Sequence, residues 1–140
     1  MRSPFDCVAV AKGIMPIAQN NSEALSAAID TLGSTSAMIE FKVGAATGTP
    51  DSYSVACVVK ECATSNGSYA SVSGATATLT TDGDHAQVRV EGLGTSRLRY
   101  LKLSMTPSFV NGTSPKALVA ASAILAALDL PPSGNSSTQS

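Results

Sequence analysis

Short apolar runs, broken at intervals of about ten residues by Gly, Pro, Asn or Asp, set the rhythm of the chain. Within the runs, apolar and polar positions alternate. A period of two puts successive side chains on opposite faces of a strand. In residues 37–43, Ile39, Phe41 and Val43 share one face, and Glu40 and Lys42 take the other. Residues 53–61 line up Tyr53, Val55, Cys57 and Val59, and residues 87–91 alternate with charges outward. In residues 98–105, Leu101, Leu103 and Met105 oppose Tyr100, Lys102 and Ser104. The Thr-rich residues 75–81 suit a short or edge strand. Turn signals stand at Thr49-Pro50-Asp51, Asn66-Gly67, Asp82-Gly83 and Asn111-Gly112, where Asn, Asp and Gly tolerate positive φ. Short strands at this spacing predict an all-β sandwich or barrel.

Two segments resist assignment by period. In residues 116–130, alanine and leucine favour a helix by intrinsic propensity, and Leu118, Leu125 and Leu128 roughly share one stripe. Leu118, Ala120, Ser122, Ile124, Ala126 and Leu128 equally fit one face of a strand. Residues 22–30 pose the same choice on a smaller scale. The ends differ from the middle. Residues 131–140, PPSGNSSTQS, have nothing to bury and are expected to be a flexible polar tail. Residues 1–19 are expected to form an extended arm outside a sandwich domain of residues 20–130. That arm is apolar yet interrupted by Gly13 and Pro16, a pattern suited to ordering against a partner. Phe5, Val8, Val10, Ile14 and Ile17 are its candidate contact residues.

Composition narrows the function. The 140 residues make one domain, with 9 Lys+Arg against 10 Asp+Glu and a net charge of −1. Nucleic-acid and membrane-surface binding need a basic excess that is missing here. Charged residues are only 14% of the chain, whereas 21 Ala, 20 Ser, 13 Thr and 11 Gly dominate it. The polar surface is therefore built of hydroxyls and backbone. With no Trp, three Phe and three Tyr, a sugar-stacking or base-stacking platform is disfavoured. Three cysteines, an odd number, argue against a secreted disulfide scaffold and for synthesis in a reducing compartment. Residues 1–17 make a poor signal peptide, and no run approaches the ~20 apolar residues of a membrane helix.

Candidate chemistry is sparse. Asp82-Gly83-Asp84-His85 is the densest polar cluster. As a calcium loop it would place Gln87 where Gly belongs and Leu93 where the bidentate Glu belongs, so a hairpin turn is the better reading. His85, the single histidine, has no nucleophile motif around it. Cys57 and Cys62 have the wrong spacing for a zinc knuckle or a redox pair and read as buried small residues. Gly92-Leu93-Gly94 lacks the following Lys-Ser/Thr of a phosphate loop. Asn20, Asn66, Asn111 and Asn135 each begin an Asn-x-Ser/Thr triplet, read here as turn chemistry. Arg97 and Arg99, with Lys102 and Arg89 nearby, are the one basic concentration. They form either a solvated face balanced by acids or a contact patch for an acidic surface. No catalytic, cofactor or metal site is expected, and an enzyme is the least favoured class.

The order of segments carries a resemblance. A turn at residues 28–33 precedes the alternating strand of residues 37–45 and a Gly/Thr-rich loop. A strand of residues 55–61, ending in Glu61, leads into Thr64-Ser65-Asn66-Gly67-Ser68-Tyr69. Later come Gly94, a short basic turn, the strand Arg99-Tyr100-Leu101-Lys102-Leu103, the Asn111-Gly112-Thr113 turn and a small-residue apolar segment. Over about residues 20–130 this resembles the small β-sandwich capsid decoration proteins of tailed bacteriophages, also called head auxiliary or cement proteins. Family members often carry Trp after the Asn-Gly turn; this chain has Tyr69. The resemblance implies an antiparallel sandwich of about eight strands and favours a strand over residues 117–128. It also implies a structural virion protein, made in the bacterial cytoplasm, that binds the major capsid protein on the shell exterior as a homo-oligomer. The alternatives are a tail-tube or connector subunit and, less favoured, a carbohydrate-binding sandwich module.

Overall fold

Alternating residues become strands because each buries one face against a second sheet. The computed structural model describes residues 8–126. Nine strands follow in order: β1 (Val8–Gln19), β2 (Ala24–Leu25), β3 (Ile29–Asp30), β4 (Ser36–Thr47), β5 (Ser52–Cys62), β6 (Ala70–Leu79), β7 (His85–Glu91), β8 (Tyr100–Val110) and β9 (Lys116–Ala126). They form a four-stranded sheet, β1-β9-β4-β7, and a five-stranded sheet, β2-β8-β5-β6, with β3 also on β8. Every strand pairing is antiparallel. The fold is an all-β sandwich.

The core lies where the inward faces meet. Ile39 and Phe41 of β4, Val55 and Val59 of β5, Leu101, Leu103 and Met105 of β8, and Val119 of β9 are all fully buried. Each such side chain contributes about 1.5–3 kcal/mol by leaving water. Except for Val119, these are residues that alternation assigned to one face. Pro107 is tolerated inside β8 because it lies past the end of β2, which pairs only with Ser104 and Met105.

The segment of residues 116–130 is a strand as far as Ala126; residues 127–130 lie outside the described residues. β9 sits between β1 and β4, so both of its backbone edges are hydrogen-bonded, and this tertiary pairing overrides the helix propensity of alanine. Its inward face is Ala117, Val119, Ala121, Ala123 and Leu125. The larger Leu118 and Ile124 point outward.

Three of the four turns differ from simple hairpins. Asn66-Gly67 joins β5 to its sheet neighbour β6 and is a hairpin. The turns at Thr49-Pro50-Asp51, Asp82-Gly83 and Asn111-Gly112 each carry the chain from one sheet to the other. The hairpin expected at Asp82-Gly83 is thus corrected to a crossing turn, closed by the Asp84 N–H donating to the Thr81 carbonyl at 2.9 Å. Gly83 (φ 82°), Asn111 (φ 60°) and Gly112 (φ 95°) do adopt the left-handed backbone expected of them. That backbone sharpens a reversal without fixing which sheet the next strand joins.

The N-terminal segment also departs from expectation. From Val8 onward it is no separate arm; it is edge strand β1, paired along its length with β9. Gly13 makes this possible, since a Cβ there would stand 2.2 Å from the Ala121 carbonyl oxygen. Two register shifts, between Ala11 and Ile14 and between Ile14 and Ile17, let the strand follow the sandwich despite Pro16. Residues 1–7 of the expected arm, with Phe5 and Cys7, and the expected tail of residues 131–140 lie outside the described residues.

Candidate functional site

The outer face of the four-stranded sheet is divided along its length. Register places Val10 of β1 beside Ile124 of β9, Ile124 beside Met38 of β4, and Met38 beside Arg89 of β7. The first three are apolar. Toward the other end of β9, Leu118 is paired with Ala18 and lies against Gly44. The β4–β7 half is polar instead. Glu40 stands opposite Gln87, Lys42 opposite His85, and Glu40 lies 3.6 Å from the Lys42 ammonium. One flank of this face is thus apolar and the other charged.

The apolar flank is well exposed. Val10 is 78% exposed, Met15 62%, Leu118 45% and Ile124 43%. A groove of about 390 Å³ runs beside β1, lined by Lys12, Met15, Pro16, Glu40, Lys42 and Ser122. Val10 and Ile124 are register neighbours, and apolar exposure on adjacent strands marks an interaction surface more often than scattered single residues do.

The expected contact residues fall into three groups. Val8, Val10 and Ile17 are exposed on β1. Ile14 is corrected: the bulge beside it turns it inward, and it is 7% exposed within the core. Arg97 and Arg99 are on the surface, but each has an acidic partner. The Arg99 guanidinium donates two bonds to the Asp30 carboxylate, at 2.9 and 2.8 Å, which ties β3 to β8. Arg97 lies 3.4 Å from Glu61, whose other oxygen accepts the Leu98 N–H at 3.0 Å. Lys60 reaches Glu23 at 2.7 Å, and Lys102 rests 4.6 Å from the centre of the Tyr69 ring. These pairings match the solvated, acid-balanced alternative for the basic concentration.

The ion pair leaves its mark on titration. The two bonds from Arg99, then the Leu32 N–H, hold the Asp30 carboxyl below its ordinary 3.8, at about 2. Glu23 is lowered in the same way, by Lys60 first and then by Ser104. Cys57 and Cys62 are both free and buried. Burial pushes the Cys57 thiol up to about 12, which makes it inert at neutral pH. The Cys62 thiol is lowered, chiefly by the Thr64 N–H.

Leu118 and Ile124 were placed on one possible strand face but not read as contact residues, and Met15 and Met38 were not singled out from sequence. Their outward orientation depends on which strand lies beside β4 and β9, and that pairing is nonlocal. Among the described residues, no group of three or more His, Cys, Asp or Glu is placed to hold a metal ion. No helix among them is long and apolar enough to cross a membrane. No family model matches the chain, and no curated protein matches it.

Proposed function

We propose that this chain is a structural virion protein of a tailed bacteriophage that decorates and reinforces the outer surface of the capsid. The observation that carries this reading is the apolar flank along β1 and β9, where Val10, Ile124, Leu118 and Met15 are exposed beside a charged half-face. Such a flank supports docking onto an apolar protein surface with the charged half left in solvent. The segment-by-segment resemblance to decoration proteins supplies the partner, the major capsid protein. A modest contact suffices in that setting, because a shell presents it many times over and avidity supplies the strength.

The test is loading of the purified chain onto particles or expanded shells that lack it. Cosedimentation is expected to saturate and to persist at high salt, since the docking flank carries few charges. The double variant Leu118→Asp/Ile124→Asp is expected to lose loading while remaining folded, because both side chains point to solvent. Loading by that variant equal to the parent would overturn the reading.

A further inference from the structure

The fold treats two chemically similar turns differently. Of the asparagines in the chain, only Asn66 and Asn111 are followed by glycine. An asparagine loses its amide when the next backbone nitrogen attacks its side-chain carbonyl carbon. Glycine in the next position favours that attack, since it has no Cβ to obstruct the approach and its backbone reaches unusual conformations at little cost. Attack further needs a free side-chain amide, a backbone N–H that can give up its proton, and a chain segment able to rearrange.

Asn111 meets none of these needs. Its Nδ2 donates to the Asp51 carboxylate at 2.6 Å. By like charge, that carboxylate also opposes the amide anion that would have to form at Gly112. The Asp51 N–H donates to the Val110 carbonyl and the Thr113 N–H to the Gly48 carbonyl, both at 2.8 Å, so the backbone is tied on either side. Gly112 itself lies against backbone, and a Cβ there would stand 2.8 Å from the Gly48 carbonyl oxygen. Asn66 is the opposite case. It is exposed in the β5–β6 connection, residues 63–69, outside the strand ladder. Its side chain makes no hydrogen bond among the described residues. The Gly67 N–H has weak acceptors only. One is the Thr64 carbonyl at 3.5 Å, and the other is the Cys62 sulfur, where it ranks behind the Thr64 and Ala63 N–H groups. The atoms crowding Gly67 are side-chain ends, the Thr64 hydroxyl and the Cys62 thiol, which can move aside.

We propose that Asn66 is a site of self-deamidation in the folded protein, and that the Asp51 carboxylate keeps Asn111 intact. The Gly67 nitrogen gives its proton to hydroxide and bonds to the Asn66 Cγ. The Cγ–Nδ2 bond breaks, and the amide takes up a proton and leaves as ammonia. A five-membered cyclic imide remains. Water then adds to either imide carbonyl and opens the ring, leaving aspartate or isoaspartate at position 66. No electrons are transferred, and water is the only co-reactant. The product adds one negative charge to a chain whose net charge is −1. Isoaspartate also lengthens the backbone by one carbon, in a connection that no strand pairing depends on.

This chemistry is independent of the virion reading. Peptide mass spectrometry tests it on the full chain, aged in mildly alkaline buffer made with heavy-oxygen water. Asn66 is expected to convert first, to a mixture of aspartate and isoaspartate carrying heavy oxygen from the ring opening. Asn111 must first break a hydrogen bond to a charged group, so it is expected to react roughly tenfold or more slowly than Asn66. In denaturant the two sites are expected to react at similar rates, since the fold no longer separates them. Asp51→Ala, at an exposed position, is expected to speed Asn111 several-fold in the folded chain and to leave Asn66 unchanged. Equal rates at Asn66 and Asn111 in the folded parent overturn the proposal. So does an Asn66 that reacts only in denaturant, or an Asn111 that Asp51→Ala fails to accelerate.

Discussion

Phe41 is the largest fully buried side chain of the core. Removing it leaves a void that small neighbours on β9 cannot fill. Phe41→Ala is expected to cost about 3–5 kcal/mol, measured by urea denaturation. Gly13 works by absence. Any side chain there meets the Ala121 carbonyl, so Gly13→Ala is expected to cost about 1–3 kcal/mol and to raise hydrogen exchange across β1 before the rest of the sandwich. The Asp30–Arg99 pair makes a pH prediction. The carboxyl is held at about 2 in the folded protein against 3.8 ordinarily. Its contribution is therefore present above pH 4 and is lost as the pH falls from about 4 to about 2. Asp30→Asn is expected to flatten the stability profile in that window, read by thermal melts. An unchanged acid slope would show that the pair does not matter to folding.

β9 shows what a single element owes to its neighbours. Its sequence allowed a helix or a strand, and the outcome was set by β1 and β4, 69 or more residues earlier in the chain. A far-UV circular dichroism spectrum of β type, without a helical double minimum, is the expected check. β9 comes last among the described strands yet lies inside its sheet. Ending the chain after Pro115 removes the strand that joins β1 to β4, and that truncation is expected to abolish cooperative unfolding. Strands β4, β5, β7 and β8 were legible because a buried face alternating with a wet one writes itself into the sequence. The turns were legible as turns through Gly and Asn, but their crossing between sheets was not, because left-handed φ specifies curvature and not destination. The exposure of the β1 side chains was half legible. Val8, Val10 and Ile17 stood out in an apolar segment, whereas Ile14 was misplaced because a bulge breaks the period of two. The acids that pair with Arg97 and Arg99 stand far off in sequence, with Asp30 separated by 69 residues from Arg99.

On the scale of the whole molecule, charge is spent locally and apolar surface is concentrated. Arg97, Arg99 and Lys60 face acids, and Lys42 and Arg89 have acidic neighbours on their own strands. Surface pairs of this kind add little stability, but they leave the molecule with no strong field to steer a charged ligand. What distinguishes one side from another is the exposed apolar row of β1 and β9. The central proposal is that this side docks against protein in many copies. The most direct test is quantitative mass spectrometry of purified particles from a host carrying this gene, with copies counted against the major capsid protein. The account predicts a ratio near one or a simple fraction of it, as a lattice of shell sites requires. A few copies per particle would place the chain at the neck, a vertex or the tail, and absence from particles would contradict the virion reading altogether.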